Sequence, residues 1–472
     1  MENSSKKTYN SPFSERYASP EMAYLFSPYF KILTFRRLWI SLAKAQKNLG
    51  LPISSSQIHA MEAALDKIDF SCASEYEKKF RHDVMAHIHA FGDACPEAKS
   101  IIHLGATSCY ATDNADLIQL KAALQILTQK ISHIIDQLSN FAKKEASTPC
   151  LSYTHYQPAQ PTTFGKRACL WLQDFLLDAI QWEQLLNTLP FLGAKGATGT
   201  QSSFLTLFEG DSSKVEKLEK MIAEDFGFSK ILSISGQTYT RKIDLNILNA
   251  LASFCSSAHK MATDIRLLSH DGELVESVEK NQVGSSAMPY KKNPIYSERI
   301  CGISRFVISL SQNSAYTTAT QWLERSLDDS ANRRLCIPES FLGVDAILNL
   351  LSHLISHLTP MPSVALERIE KELPFLIMEN ILMEAVKKGG DRQKLHEKLR
   401  LFSQQKSIDF LLEQIEKDPA FHLKAKDIKH LLEIPSLIGR APEQVHEFLK
   451  QEVQPYLNHH QKSATPIPQI EF

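Results

Sequence analysis

Glycine is scarce in this chain, with 17 among 472 residues, about half the usual ~7%. So few residues free to adopt positive φ leave little provision for the tight turns of a β-sandwich or barrel, and the deficit favours long helices. Neither sign of charge dominates: 52 Lys plus Arg stand against 53 Asp plus Glu, for a net charge of -1. That balance argues against a surface built to coat nucleic acid and against a long disordered chain. The 8 cysteines include no C-x-x-C pair, so neither a disulfide framework nor a clustered zinc site is expected; reduced thiols in a cytoplasmic compartment are. The opening MENSSKKTYN lacks the apolar run of a secretory signal. No run of about 18 apolar residues points to a membrane span.

What the chain does have is helical periodicity. Neither Gly nor Pro occurs from Asp113 to Thr148, and the apolar residues Leu117, Leu120, Leu124, Leu127, Ile131, Ile134, Leu138 and Phe141 step alternately by three and four. The same stepping links Ile247, Leu251, Phe254, Ala258, Met261, Ile265 and Leu268 within a second breaker-free window, Arg241–Asp271. Ile303–Cys336 is a third such window, and Lys166–Leu189 has helical length. Heptad stepping over several long segments predicts an all-α, elongated helical bundle. A seam this apolar exceeds what one chain's bundle hides, so bundle-to-bundle oligomerisation is the natural way to cover the rest, although a self-contained four-helix bundle satisfies the same pattern. Shorter helical patterns flank this middle (Phe30–Leu49, Ser56–Ile68 and Ser74–Phe91 before it, Val364–Leu373 and Gln393–Gln404 after it), and a terminal arm is expected from His459. Three domains follow: 1–110, a central long-helix bundle over 111–360, and 361–472. No strand-rich block stands out.

Chemistry is expected where long helices are interrupted. His103–Tyr110 places Thr107 and Ser108 hydroxyls at the start of a long helix, an arrangement suited to anions, with simple capping by Thr112 or Asp113 as the alternative. Thr154–Thr163 puts His155 in a proline-bounded loop, where an imidazole can transfer protons near neutral pH, although a lone histidine is more often structural. Gly284–Pro294 follows Glu273, Glu276 and Glu279 and collects paired serines, Lys291 and Asn293 between two prolines. Its donors suit developing negative charge. His82, His87 and His89 are spaced so that they do not share one helix face, and no metal is expected there.

Gly284–Pro294, read as G-S-S-A-M-P-Y-K-K-N-P, resembles the signature loop of the fumarase/aspartase superfamily. The resemblance narrows to the adenylosuccinate lyase family through further segments. These are Arg16-Tyr17 in S-E-R-Y-A-S-P-E-M, Arg81-His82-Asp83, Leu104–Asp116, Thr154–Thr163, Ser235–Lys242, Glu324–Arg334 and G-R-A-P-E-Q-V from Gly439. Lys292 stands where that branch usually has Arg, with the charge kept.

The resemblance implies β-elimination of fumarate from adenylosuccinate, giving AMP, and from SAICAR, giving AICAR, without a cofactor. It implies Ser285 as base, His155 as acid, Lys291 and Asn293 binding the carboxylate that takes up charge, and Glu298 orienting His155. Arg16, Tyr17, Arg325, Ser330 and Arg334 would hold the nucleotide end, with Arg81, His82 and Asp83 nearby; Thr107, Ser108, Gln237 and Arg299 would lie along the substrate. It also implies a homotetramer whose sites draw on three subunits. The competing readings are another lyase of the superfamily, such as argininosuccinate lyase, and a catalytically silent helical scaffold akin to the lens crystallins.

Overall fold

Helices begin where the sequence supplies a cap and a buried stripe. In the computed structural model, which describes residues 9–277, 284, 286–288, 290–404 and 407–460, the Ser27 hydroxyl accepts from the Phe30 N–H and Pro28 fills the first turn, starting helix α1 (Pro28–Asn48). Asp69 caps α2 (Phe70–Phe80), and the His82 ring caps α3 (Asp83–Ala94). Between them Arg81 turns left-handed at φ 55°. The window Ser74–Phe91, expected as one helix, is therefore two, because the C-cap Arg81 of one and the N-cap His82 of the next lie inside it. Gly92 lies within α3 rather than ending it.

Helix α4 (Ser108–Lys144) runs for 37 residues. Its heptad stripe from Leu117 to Leu138 is 0–1% exposed, while Phe141, the last expected seam residue, is half-buried. A hairpin follows, β1 (Pro149–Thr154) paired antiparallel with β2 (Gln157–Thr163). Here the expectation of a loop is corrected. Pro158 and Pro161 made the segment read as non-strand, but a two-stranded ribbon has free edges on which a missing N–H costs nothing. His155 and Tyr156 form its two-residue turn with φ of 53° and 57°, the positive-φ geometry that matches strand twist.

Helices α5 (Phe164–Thr188) and α6 (Lys242–Asp271) carry the next breaker-free windows. All seven heptad residues of α6 are buried. Trp171 of α5 donates its indole N–H to Asp264 of α6 at 2.7 Å. Strand β3 (Leu274–Glu276) precedes α7 (Ile295–Ala319), α8 (Asp328–Ser356) and β4 (Leu358–Pro360), which pairs with β3. The window Ile303–Cys336 is thus not one helix. It breaks over residues 320–327, where Leu323 adopts φ 46° although neither Gly nor Pro is present.

In the bundle α7 lies along α6, α8 along α7, and α4 along α5, with α8 also against α4. An 18-residue window of α8 reaches a mean hydropathy of 1.4, yet 78% of it is buried; its apolar character is that of a core helix surrounded by protein. One apolar core runs from Phe13 to Ala365 and takes in Val445, Val453, Tyr456 and Leu457. A second, separate core joins residues between Ile377 and Leu437 on short helices such as Met378–Lys387 and Arg392–Phe402. The last helix reaches His460, and the remainder of the expected terminal arm lies outside the described residues. All eight cysteines are free thiols, most of them buried.

Candidate active site

The α2–α3 break, the N-terminus of α4, the segment before α6 and the N-terminus of α8 converge on one cleft of about 690 Å³. Eight of the expected substrate residues line it: Arg81, His82, Asp83, Ser108, Gln237, Arg325, Ser330 and Arg334. Thr107 adjoins them as the residue before α4 and spends no hydroxyl hydrogen bond on capping that helix. The first turn of a 37-residue helix thus meets the cleft beside two hydroxyls, as an anion-binding end requires.

Contacts across the cleft fix its walls. The Ser108 hydroxyl lies 3.3 Å from His82 Nε2, and Arg334 pairs with Asp83 at 3.2 Å. Arg325 donates from Nη1 to the Cys109 sulfur at 2.6 Å. Burial nevertheless pushes the Cys109 thiol up to about 12, so it stays a neutral partner. Gln237 is held by its backbone N–H to Glu324 O at 3.0 Å and by its side-chain amide to Ala197 O at 3.1 Å. The neighbouring glycine permits this, since a Cβ at Gly236 would meet the Glu324 carbonyl oxygen at 2.5 Å. His103, which opens the segment, accepts from the Trp39 indole N–H at 2.9 Å, and burial lowers its imidazole to about 4. It is an acceptor at neutral pH, not a proton donor.

Arg16 and Tyr17 do not line this cleft. They form the last turn of Phe13–Tyr17, with the Arg16 guanidinium 5.8 Å from the Tyr17 ring centre. Nor do His155, Lys291, Asn293, Glu298 and Arg299 line it. His155 is exposed at the β1–β2 turn, and Glu298 is exposed in the first turn of α7. The two share no hydrogen bond within the chain, so a single copy does not place the carboxylate on the imidazole. Ser285 lies outside the described residues.

The flanks of the signature loop are tightly held. Buried Glu276 accepts from the Tyr296 and Ser297 N–H groups at 3.0 and 2.9 Å and from the Ser297 hydroxyl at 2.6 Å, tying the residue before the loop to the helix after it. Burial raises this carboxyl and the hydrogen bonds counter it. Glu273 accepts from the Tyr153 hydroxyl at 2.8 Å and forms an ion pair with Arg368 at 2.9 Å, which ties the hairpin of His155 to the residue before β3. Glu273 and Glu276 are therefore anchors rather than a solvated face, and Glu279 lies outside the described residues. Asn293 donates to Gly284 O at 2.8 Å, and a Cβ on Gly284 would fall on the Lys291 carbonyl oxygen. Non-glycine residues at positive φ recur in these segments, at Arg81, His103, His155, Tyr156 and Leu323; each such conformation costs about 1–3 kcal/mol and tends to persist at functional sites.

Asp113, offered only as an alternative cap, lies inside α4, and sequence reading assigned no role to Asp116, Arg241, Asp329 and Arg333; all five also line the cleft. Their only signal was membership of the motif segments. Among the described residues no group of three or more His, Cys, Asp or Glu is arranged to hold a metal ion.

Comparison with known proteins places this geometry. The sequence model of a family described as Lyase matches residues 36–309, and one described as Adenylosuccinate lyase C-terminus matches residues 374–448. The chain is 46% identical over 457 residues to the adenylosuccinate lyase of Schizosaccharomyces pombe, covering 94% of this chain and 95% of that one. It is 45% identical over 465 residues to that of Saccharomyces cerevisiae, covering 96% of each. Among solved structures, a fumarate lyase from Mesorhizobium sp. BNC1 superposes with a TM-score of 0.81 at 22% identity, covering 94% of this chain and 100% of that one. A 3-carboxy-cis,cis-muconate lactonizing enzyme from Pseudomonas putida gives 0.81 at 22% identity, covering 97% and 100%. At that identity the two structures speak to the fold alone.

Proposed function

The chain belongs to the adenylosuccinate lyase family of the fumarase/aspartase superfamily, and on that premise we propose that it eliminates fumarate from adenylosuccinate to leave AMP, and from SAICAR to leave AICAR. The observation that carries the reading is the cleft, which gathers cationic and hydroxyl side chains from four distant segments around a helix N-terminus. Such a site suits a ligand bearing a phosphate and two carboxylates.

The chemical problem is removal of a weakly acidic C–H proton beside a carboxylate while a C–N bond breaks. A base must sit on one face and an acid on the other. Ser285 is the base and His155 the acid that protonates the departing nitrogen. A serine hydroxyl is a poor base at its ordinary pKa, so Lys291 and the loop N–H groups stabilise its ionised form in a site closed to water. Lys291 and Asn293 bind the carboxylate as it takes up charge. Arg325, Ser330 and Arg334, with Arg16 and Tyr17, hold the nucleotide; Thr107, Ser108, Gln237 and Arg299 lie along the rest of the substrate. Glu298 orients His155.

We propose further that the working unit is a homotetramer in which the cleft, the His155 hairpin and the signature loop of one site come from three copies. Two observations support this. The hairpin turn and loop flank of one chain do not line its own cleft. Apolar side chains stay exposed along the long helices, with Leu177 at 64% and Tyr316 at 71% exposure, which is surface for other copies to cover. The free thiols fit a cytoplasmic enzyme. The separate core between Ile377 and Leu437 supports a distinct unit within the proposed 361–472 division, whose Ala365, Val445, Val453, Tyr456 and Leu457 pack instead into the main core.

The test is a spectrophotometric assay of the purified protein with adenylosuccinate and SAICAR. Loss of substrate absorbance with release of AMP or AICAR is expected; turnover of argininosuccinate instead, or of neither compound, overturns the reading.

A further inference from the structure

In the wall of the cleft, and reaching behind it to Tyr239 and Asp244, lies a set of ionised side chains that the mechanism above does not use. Arg241, its side chain 2% exposed, donates from Nε to Asp329 at 2.7 Å and from Nη1 to Asp113 at 2.9 Å. Arg333, 9% exposed, donates from Nε to Asp244 at 2.7 Å and pairs through Nη1 with Asp116 at 2.9 Å, while its Nη2 donates to the Tyr239 hydroxyl. Tyr239 in turn donates from its hydroxyl to Asp244 at 2.6 Å and from its backbone N–H to Asp113 at 3.1 Å.

The connectivity matters more than the number of contacts. Asp113 and Asp116 stand on the first turns of α4, behind Thr107 and Ser108. Tyr239 and Arg241 end the segment that carries Gln237, and Asp244 opens α6. Asp329 and Arg333 flank Ser330 and precede Arg334 on α8. Each guanidinium therefore bridges separate elements, and α4, α8 and the Gln237 segment among them bear cleft residues assigned to the substrate. A planar fork fixes the spacing of the carboxylates it joins, which a flexible ammonium does not.

We propose that Arg241 and Arg333 are positioning residues that set the distance between the nucleotide-binding end of the cleft, on α8, and its anion-binding wall, on α4 and the Gln237 segment. This rests on the function proposed above and extends it to residues whose guanidinium groups are taken up by carboxylates of the protein. Displacing a binding wall by about 1 Å can cost on the order of 100-fold. The loss falls on ground-state and transition-state binding alike, because the proton-transfer groups lie on other segments.

The test uses Arg241→Gln, which keeps a donor but cannot span both carboxylates, Arg241→Lys as the conservative variant, and Asp329→Asn, which keeps shape and is expected to fold even if the arginine variants do not. For each, kcat and KM with adenylosuccinate, the Kd of AMP by calorimetry, and Tm are measured. Expected for Arg241→Gln are a KM and an AMP Kd raised about 10- to 100-fold with kcat changed less than about threefold. Arg241→Lys should recover part of that loss, and Asp329→Asn should move both constants in the same direction. A merely structural role would lower Tm and leave KM and the AMP Kd unchanged in the folded protein, and that outcome overturns the inference, as does a fall in kcat alone. Absence of turnover by the unsubstituted chain overturns the functional reading instead, while the AMP titration still reads the effect of the variants.

Discussion

Replacing Lys130 by Met isolates one buried charge. Lys130, on α4 with its side chain 7% exposed, pairs with Asp345 of α8, whose carboxylate is 0% exposed, and donates to Asn349 at 2.8 Å. Asp345 also accepts from the Ser19 N–H at 2.6 Å, and Asn349 donates to the Tyr17 carbonyl at 3.2 Å. The group thus clamps the Arg16-Tyr17 segment onto the bundle. Lys130→Met leaves a carboxylate in the core without its cation, a loss of about 3–5 kcal/mol. Unfolding entropy of about 2.1 cal/mol/K per residue amounts to about 1 kcal/mol/K for a chain of this length, so Tm should fall by about 3–5 °C at fixed protein concentration. Adding Asp345→Asn removes the stranded charge while an amide oxygen still accepts from Ser19, so the double variant should recover most of the loss. AMP affinity should drop in Lys130→Met, because Tyr17 loses its anchor. A Tm within about 1 °C of the unsubstituted protein, or a double variant less stable than the single one, would refute the reasoning.

Asp178, buried between α5 and α6, accepts from Ser253 and Ser257, and burial raises its carboxyl to about 6 despite those bonds. A raised carboxyl stabilises the fold at low pH, and that contribution is lost as pH climbs from about 4 through 6. Asp178→Asn should therefore gain stability relative to the unsubstituted chain over that interval, by about 1–3 kcal/mol at pH 7 and seen as a rise in Tm; an offset that does not vary with pH would contradict the assignment. Ser285→Ala should abolish turnover while sparing AMP binding, and near-normal kcat would remove the serine from its role. His155→Ala should slow release of the amine product, and an unchanged kcat would dismiss it as the acid.

Much of the bundle was legible because heptad spacing reports burial directly: the leucines of α4 and the mixed apolar seam of α6 lie where their periodicity put them. Boundaries were harder. Arg81 and Leu323 reverse the chain with residues that rarely do so, and no glycine or proline marked either place. The β1–β2 hairpin escaped because its prolines sit on free edges. Among the functional segments, motif residues on α4 and α8 meet in one cleft, as expected from residues far apart in sequence. The Arg241 and Arg333 contacts were not readable, since Arg241 and Asp113 are separated by 128 positions and a buried ion pair leaves no periodic trace. His155 and Ser285 could be assigned partners only by resemblance, because one chain does not bring His155 to the cleft and Ser285 lies outside the described residues.

The most direct measurement is complementation between two inactive proteins. Ser285→Ala and His155→Ala, each purified, are mixed, dissociated and reassembled, and the mixture is assayed with adenylosuccinate. If base and acid reach one substrate from different copies, hybrid tetramers contain sites with both groups intact, and activity returns. Hybrid assemblies that form but stay as inactive as their parents would contradict the shared site.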